Sequence, residues 1–140
     1  EQYGNAILSR YPMGHIKIFV SDTKKSVPFY GALFEKLGFK KVEETEKAGA
    51  WVTVEGFGIW IKEAEQKEPG YVFGAPGLHH ICFKARSKEE VDDIYDFLVR
   101  NDTFITFIFD PPESYPEYTP DYYAVFFADP DGIKIEVARY

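Results

Sequence analysis

A chain of 140 residues, 45% of them apolar and 28% charged, is long enough for one domain with a real core. Its net charge of −7 and pI near 5.0 exclude a nucleic-acid or anionic-membrane surface, which needs clustered Lys and Arg. A single cysteine, Cys82, excludes an intrachain disulfide and suits a reducing cytoplasm. No apolar run approaches the roughly twenty residues of a membrane span, and the first ten residues, with Glu1, Asn5 and Arg10, lack the apolar core of a secretory signal. Aromatic residues reach 18%, more than a core of this size demands, which suits a pocket.

The first predicted strand is Gly14-His15-Ile16-Lys17-Ile18-Phe19-Val20. Ser21 or Asp22 then caps a helix whose apolar face is Val27, Tyr30, Phe34 and Leu37, with Gly38 closing it. Pro28 fits only if it sits in the first turn. Strands follow at 39–44, 50–54 and 58–62, the last two joined by a Glu55-Gly56-Phe57-Gly58 turn. Residues 64–77, rich in Gly and Pro, read as a linker.

The order then repeats. Leu78-His79-His80-Ile81-Cys82-Phe83-Lys84 resembles the first strand, with His80 over His15, and the strand runs 80–85. Ser87 and Glu90 form a capping box for a helix with Val91, Ile94, Tyr95 and Leu98 on its apolar face, ended by Asn101. Strands are predicted at 103–109 and 122–128, and the turn Asp129-Pro130-Asp131-Gly132 leads into the last strand, 132–137. The offset between the halves is 65 for His15 and His80 but 74 for Lys62 and Glu136. The loop 110–121 absorbs the difference, and reads either as a lid or as a stiff, proline-rich connection. The whole chain, 1–140, is thus one domain of two βαβββ modules, about 11–63 and 77–140.

Alternation assigns the faces. Ile16, Ile18, Val20, Ile59, Ile61, Ile81, Phe83, Ile133, Ile135 and Val137 make an apolar set, to be covered by the helices. His15, Lys17, Trp60, Lys62, His80, Cys82, Lys134 and Glu136 fall on the opposite face. Two histidines and a glutamate on three strands, all facing one way, are the raw material of a metal site with open positions, and each taken alone reads equally as a hydrogen-bonded or solvated strand residue. His79, next to His80, falls on the helix side and reads as structural. Cys82 reads either as a neighbour of the metal or as a small buried apolar residue.

Paired βαβββ modules resemble the vicinal oxygen chelate superfamily, which includes glyoxalase I, methylmalonyl-CoA epimerase, fosfomycin-resistance enzymes, extradiol dioxygenases and bleomycin-resistance proteins. The similarity lies in Phe29-Tyr30, Leu37-Gly38-Phe39, Gly77-Leu78-His79-His80-Ile81 and Asp129-Pro130-Asp131-Gly132-Ile133-Lys134-Ile135-Glu136, and covers roughly 14–137. It implies an α+β fold in which the modules form an incomplete eight-stranded barrel with a concave metal-binding face. It implies His15, His80 and Glu136 as ligands of one divalent ion (Zn, Mn, Ni, Co or Fe), a homodimer, and a small-molecule substrate, with neither nucleic acid nor membrane as partner.

Lys62 stands where glyoxalase I and the epimerase place a fourth ligand. A lysine there reads either as positive charge for an anionic substrate or as a rim residue reaching water, with Trp60, Tyr123 and Cys82 as further pocket residues. Two readings of function follow. One is a metal-dependent lyase, isomerase or dioxygenase acting on a small oxygenated molecule. The other is a metal-free binding protein of the bleomycin-resistance type.

Overall fold

The computed structural model describes residues 10–101 and 109–140. The first module is β1 (His15–Val20), α1 (Thr23–Lys36), β2 (Lys40–Thr45), β3 (Ala48–Val52) and β4 (Gly58–Glu63). The second is β5 (Ile81–Lys84), α2 (Lys88–Arg100), β6 (Glu113–Ser114), β7 (Tyr123–Ala128) and β8 (Lys134–Arg139). Among the described residues each module forms a four-stranded sheet, ordered β1-β4-β3-β2 and β5-β8-β7-β6, and no strand of one sheet hydrogen-bonds to the other. The repeat holds in the pairing as well: β1 runs parallel to β4, and β5 parallel to β8. The fold is α+β, and its barrel is not closed.

Burial follows the alternation. In β1, Ile18 and Val20 are buried while His15, Lys17 and Phe19 are exposed. The apolar faces of both sheets share one core around α1. Phe29 of α1 packs against Phe127 of β7 at 6.5 Å between ring centroids, and Phe34 against Phe83 of β5 at 6.0 Å. Phe34 also meets Trp51 of β3 at 5.3 Å, so a single helical ring touches both sheets. Each such fully buried aromatic stabilises the fold by about 1.5–3 kcal/mol.

The modules are also joined by polar contacts. Asp129, fully buried in the β7–β8 turn, accepts the Tyr30 hydroxyl at 2.6 Å and the backbone N–H groups of Asp131 and Ile133 at 2.8 Å each. Gly132 holds that turn at φ +89°, a conformation that favours glycine. Asp131 accepts the Ser21 N–H at 3.0 Å, and Lys36 of α1 pairs with Asp93 of α2 at 2.7 Å.

Several sequence expectations shift. Asp22, not Ser21, caps α1, accepting from Lys24 N at 2.9 Å. Pro28 lies in the second turn, so the Lys24 carbonyl loses its helical donor there. Ser87 caps α2 as read, but Glu90 accepts the Arg86 N–H at 2.7 Å and its guanidinium, not the N–H of Ser87. The predicted strand 103–109 lies almost wholly outside the described residues, and β6 arises inside the segment read as a loop. Among the described residues no helix is long and apolar enough to cross a membrane.

Candidate functional site

The second sheet brings two of the three predicted donors together. Glu136, on β8, is 2% exposed. It pairs in register with Cys82 on β5 and Phe126 on β7, which sets it in the middle of its sheet. His80 immediately precedes β5, and its Nε2 lies 2.9 Å from Glu136 Oε1. The other carboxylate oxygen accepts the Tyr122 hydroxyl at 2.5 Å. A buried carboxylate without such donors is costly. Here each oxygen has one.

His80 is held at both ring nitrogens. In the neutral tautomer that serves Glu136, Nε2–H donates to Oε1 and Nδ1 accepts from His79 Nδ1–H at 2.7 Å. His79 is therefore not on the helix side. It is exposed, its ring packs on Phe73 at 4.9 Å, and it orients His80. The reason is positional: both histidines precede β5, where strand alternation no longer applies.

The Cys82 side chain lies on the same face as Glu136. Burial, and then the charge of Glu136, push its thiol up to about 12, so it stays neutral. Tyr122 is raised by burial, and then by its hydrogen bond to the same carboxylate. Both groups remain protonated, and the Tyr122 O–H donates to Glu136.

The other predicted residues lie apart from this pair. His15 is on the exposed face of β1, its ring edge-on to Trp60 at 5.5 Å, with the Lys17 ammonium 5.8 Å from the Trp60 ring. Lys62 is exposed on the same sheet, opposite Phe19 in register. Among the described residues no three His, Cys, Asp or Glu side chains gather closely enough to hold an ion. His15 thus stands on one sheet and the His80–Glu136 pair on the other.

Tyr123 does not line this face. Its hydroxyl donates to Asp92 of α2 at 2.6 Å, on the helix side. It shares parity with the buried Val125 and Phe127, whereas Tyr122 precedes the strand and turns to Glu136. Phe126 and Tyr122 are the aromatic residues that sequence reasoning missed. The β7–β8 register, with Phe126 opposite Glu136, is the signal that identifies Phe126.

His80 and Glu136 carry donor groups of the kinds that bind divalent ions. At 2.9 Å the Nε2–Oε1 separation is that of an N–H···O hydrogen bond. Imidazole and carboxylate also suit Mn, Fe, Co, Ni and Zn alike.

Two hollows lie beside these faces. One of about 700 Å³ runs beside β1, between Ile16, Ile18 and Phe19 and the linker residues Tyr71, Val72 and Leu78. A smaller one, about 270 Å³, opens on the second sheet beside Phe126 and Lys134.

A family model described as the Glyoxalase/Bleomycin resistance protein/Dioxygenase superfamily matches residues 13–137. The uncharacterized protein YqjT of Bacillus subtilis (strain 168) is 32% identical over 128 residues, which are 89% of this chain and 96% of that protein. Among solved structures, a candidate glyoxalase from Bacillus halodurans superposes with TM-score 0.76 at 24% identity, over 94% of this chain and 97% of that one. The fosfomycin resistance protein FosX from Listeria monocytogenes, complexed with Mn(II) and sulfate, gives 0.65 at 19% identity, over 91% and 89%. At those identities the two structures show a shared fold.

Proposed function

Because this chain belongs to the Glyoxalase/Bleomycin resistance protein/Dioxygenase superfamily, we propose that it is a divalent-metal enzyme of the glyoxalase or dioxygenase type, acting on a small oxygenated, anionic molecule. The observation that carries this reading is the half-buried His80 ring held against the buried Glu136 carboxylate, an imidazole and a carboxylate side by side on the second sheet. The Mn(II) bound in FosX adds support at the level of the fold. His15 is the third ligand, supplied by the first sheet of a second copy in a homodimer.

When bound, such an ion polarises substrate oxygens and stabilises negative charge developing on them. The remaining work belongs to the chain. His79 fixes the His80 ring, Tyr122 fixes Glu136, and Trp60 flanks His15. Lys17 and Lys62 place positive charge on the His15 face, where it favours an anionic substrate. Cys82 lies beside Glu136 on the same face.

The test is metal content. Purified protein equilibrated with Mn(II), Fe(II), Co(II), Ni(II) or Zn(II) and freed of loose ions should retain about one ion per chain. The triple variant His15→Ala, His80→Ala, Glu136→Ala should retain none. An unchanged metal content in that variant would sink the enzymatic reading.

The second reading, a metal-free binding protein, is favoured by one observation. Within the described residues of a single chain, no three donors meet. Absence of bound metal under all five conditions would select it.

A further inference from the structure

We propose that the cavity beneath the 110–121 segment holds a single aromatic ring bearing one anionic oxygen group, a benzoate-like or phenolate-like moiety of the substrate. The ring's role as part of the substrate rests on the function proposed above, whereas its binding requires no ion.

The segment that breaks the symmetry between the modules is what builds this cavity. It is folded back onto the second sheet: Tyr115 N–H donates to Tyr122 O at 2.9 Å, Tyr118 N–H to Tyr115 O at 3.0 Å, and β6 pairs with β7. The resulting hollow of about 270 Å³ is walled by Phe109, Tyr115, Tyr118 and Phe126. A cavity of roughly 150 Å³ already admits benzene, so there is room for one ring with a carboxylate and little more. Tyr115 and Tyr118 lie nearly parallel, 14° apart, and Tyr115 stands edge-on to Phe126 at 88°. Tyr118 is 61% exposed and Phe109 54%, so core packing does not account for them.

Charge sets the rest. Lys134, half-buried, holds its ammonium 4.5 Å from the Phe126 ring centroid, and makes no ion pair among the described residues. A cation pressed on an apolar wall without a carboxylate partner is a ready counter-charge for an anion. Asp110 also lines the cavity and offsets part of the Lys134 charge, so a dianion is disfavoured more strongly than a monoanion. Phe126 faces Glu136 across the strands, which puts the ring beside the proposed reaction centre.

The experiment titrates benzoate, benzyl alcohol and cyclohexanecarboxylate into EDTA-treated protein, read by ligand NMR and tyrosine fluorescence, and repeats the series with Mn(II). Benzoate should bind about tenfold more tightly than either analogue. Lys134→Met should bring benzoate down to the level of benzyl alcohol. Tyr118→Leu, at an exposed position, should weaken both aromatic ligands and spare cyclohexanecarboxylate. Equal binding of benzoate and cyclohexanecarboxylate would overturn the inference, as would an unchanged benzoate affinity in Lys134→Met with native circular dichroism. Protein that keeps Mn(II) but shows no benzoate preference refutes this inference alone. A benzoate preference in protein that holds no ion supports it and refutes the enzymatic reading alone.

Discussion

Tyr122 donates its hydroxyl to Glu136 Oε2 at 2.5 Å, on the side of the carboxylate opposite His80. The tyrosine is itself fixed, stacked on Tyr140 at 5.1 Å and 8°, with Tyr118 edge-on at 5.1 Å. One oxygen of Glu136 is therefore committed to the protein, and the other is left to share with His80.

From that commitment follows the effect of Tyr122→Phe. The ring stack survives and only the hydroxyl goes, so the fold should be unchanged. Glu136 loses the partner that orients it, and outer-shell partners of this kind are worth about 10- to 100-fold in metal affinity. Calorimetric titration with Mn(II) should show a loss of that order. Unaltered affinity would mean that His80 and packing alone position the carboxylate.

The fold and half of the candidate site were legible in the sequence because both rest on periodicity. The repeat gave the module order, and period-two alternation put His15 and Glu136 on non-helix faces, where both lie. Alternation fails where a residue precedes a strand, which is why His79 and Tyr122 escaped it, and it fails when parity is misread, as with Tyr123. Whether two sheets bring their faces together is set by side chains far apart in sequence, such as Phe29 with Phe127 and Tyr30 with Asp129. No local pattern encodes those contacts. The separation of His15 from His80 and Glu136 was therefore invisible until the packing of α1 was known.

That packing yields its own prediction. Tyr30→Phe keeps the ring and removes only the donor to the buried Asp129 Oδ2. An unsatisfied buried acceptor costs about 1–3 kcal/mol. Urea denaturation at neutral pH should register a loss of that size with an unchanged slope. A loss below the precision of the method would show that water or a shifted backbone N–H replaces the hydroxyl.

Glu63 supplies a pH dependence with a definite sign. Its carboxylate accepts from Lys47 Nζ at 2.6 Å and Thr23 Oγ1 at 3.0 Å, with Lys67 at 3.3 Å. The Lys47 hydrogen bond, followed by that from Thr23, lowers it from 4.5 to about 2. The unfolded chain takes up this proton first as pH falls. The stabilisation is complete above about 4.5 and is lost as pH drops toward about 2. Glu63→Gln removes it at every pH. The stability gap between the wild-type protein and Glu63→Gln should therefore be largest near neutrality and shrink across that acid window. A gap independent of pH would contradict the assignment.

The final prediction concerns assembly, and it separates a site completed by a second copy from one completed within the chain. His15 lies on the first sheet and the His80–Glu136 pair on the second, with no three donors gathered among the described residues of one chain. If a homodimer pairs the first sheet of one protomer with the second sheet of the other, each ion needs both chains. Neither His15→Ala nor Glu136→Ala alone should then bind Mn(II) well. When the two variants are unfolded together and refolded at equal concentration, roughly half of the dimers are mixed. In a mixed dimer one site combines the intact His15 of one variant with the intact His80 and Glu136 of the other, and the second site lacks both altered ligands. Roughly a quarter of all sites should therefore recover Mn(II) binding. Light scattering on the wild-type protein should give twice the monomer mass. Mixtures that recover no binding, although each variant refolds and dimerises, would place the whole site within one chain.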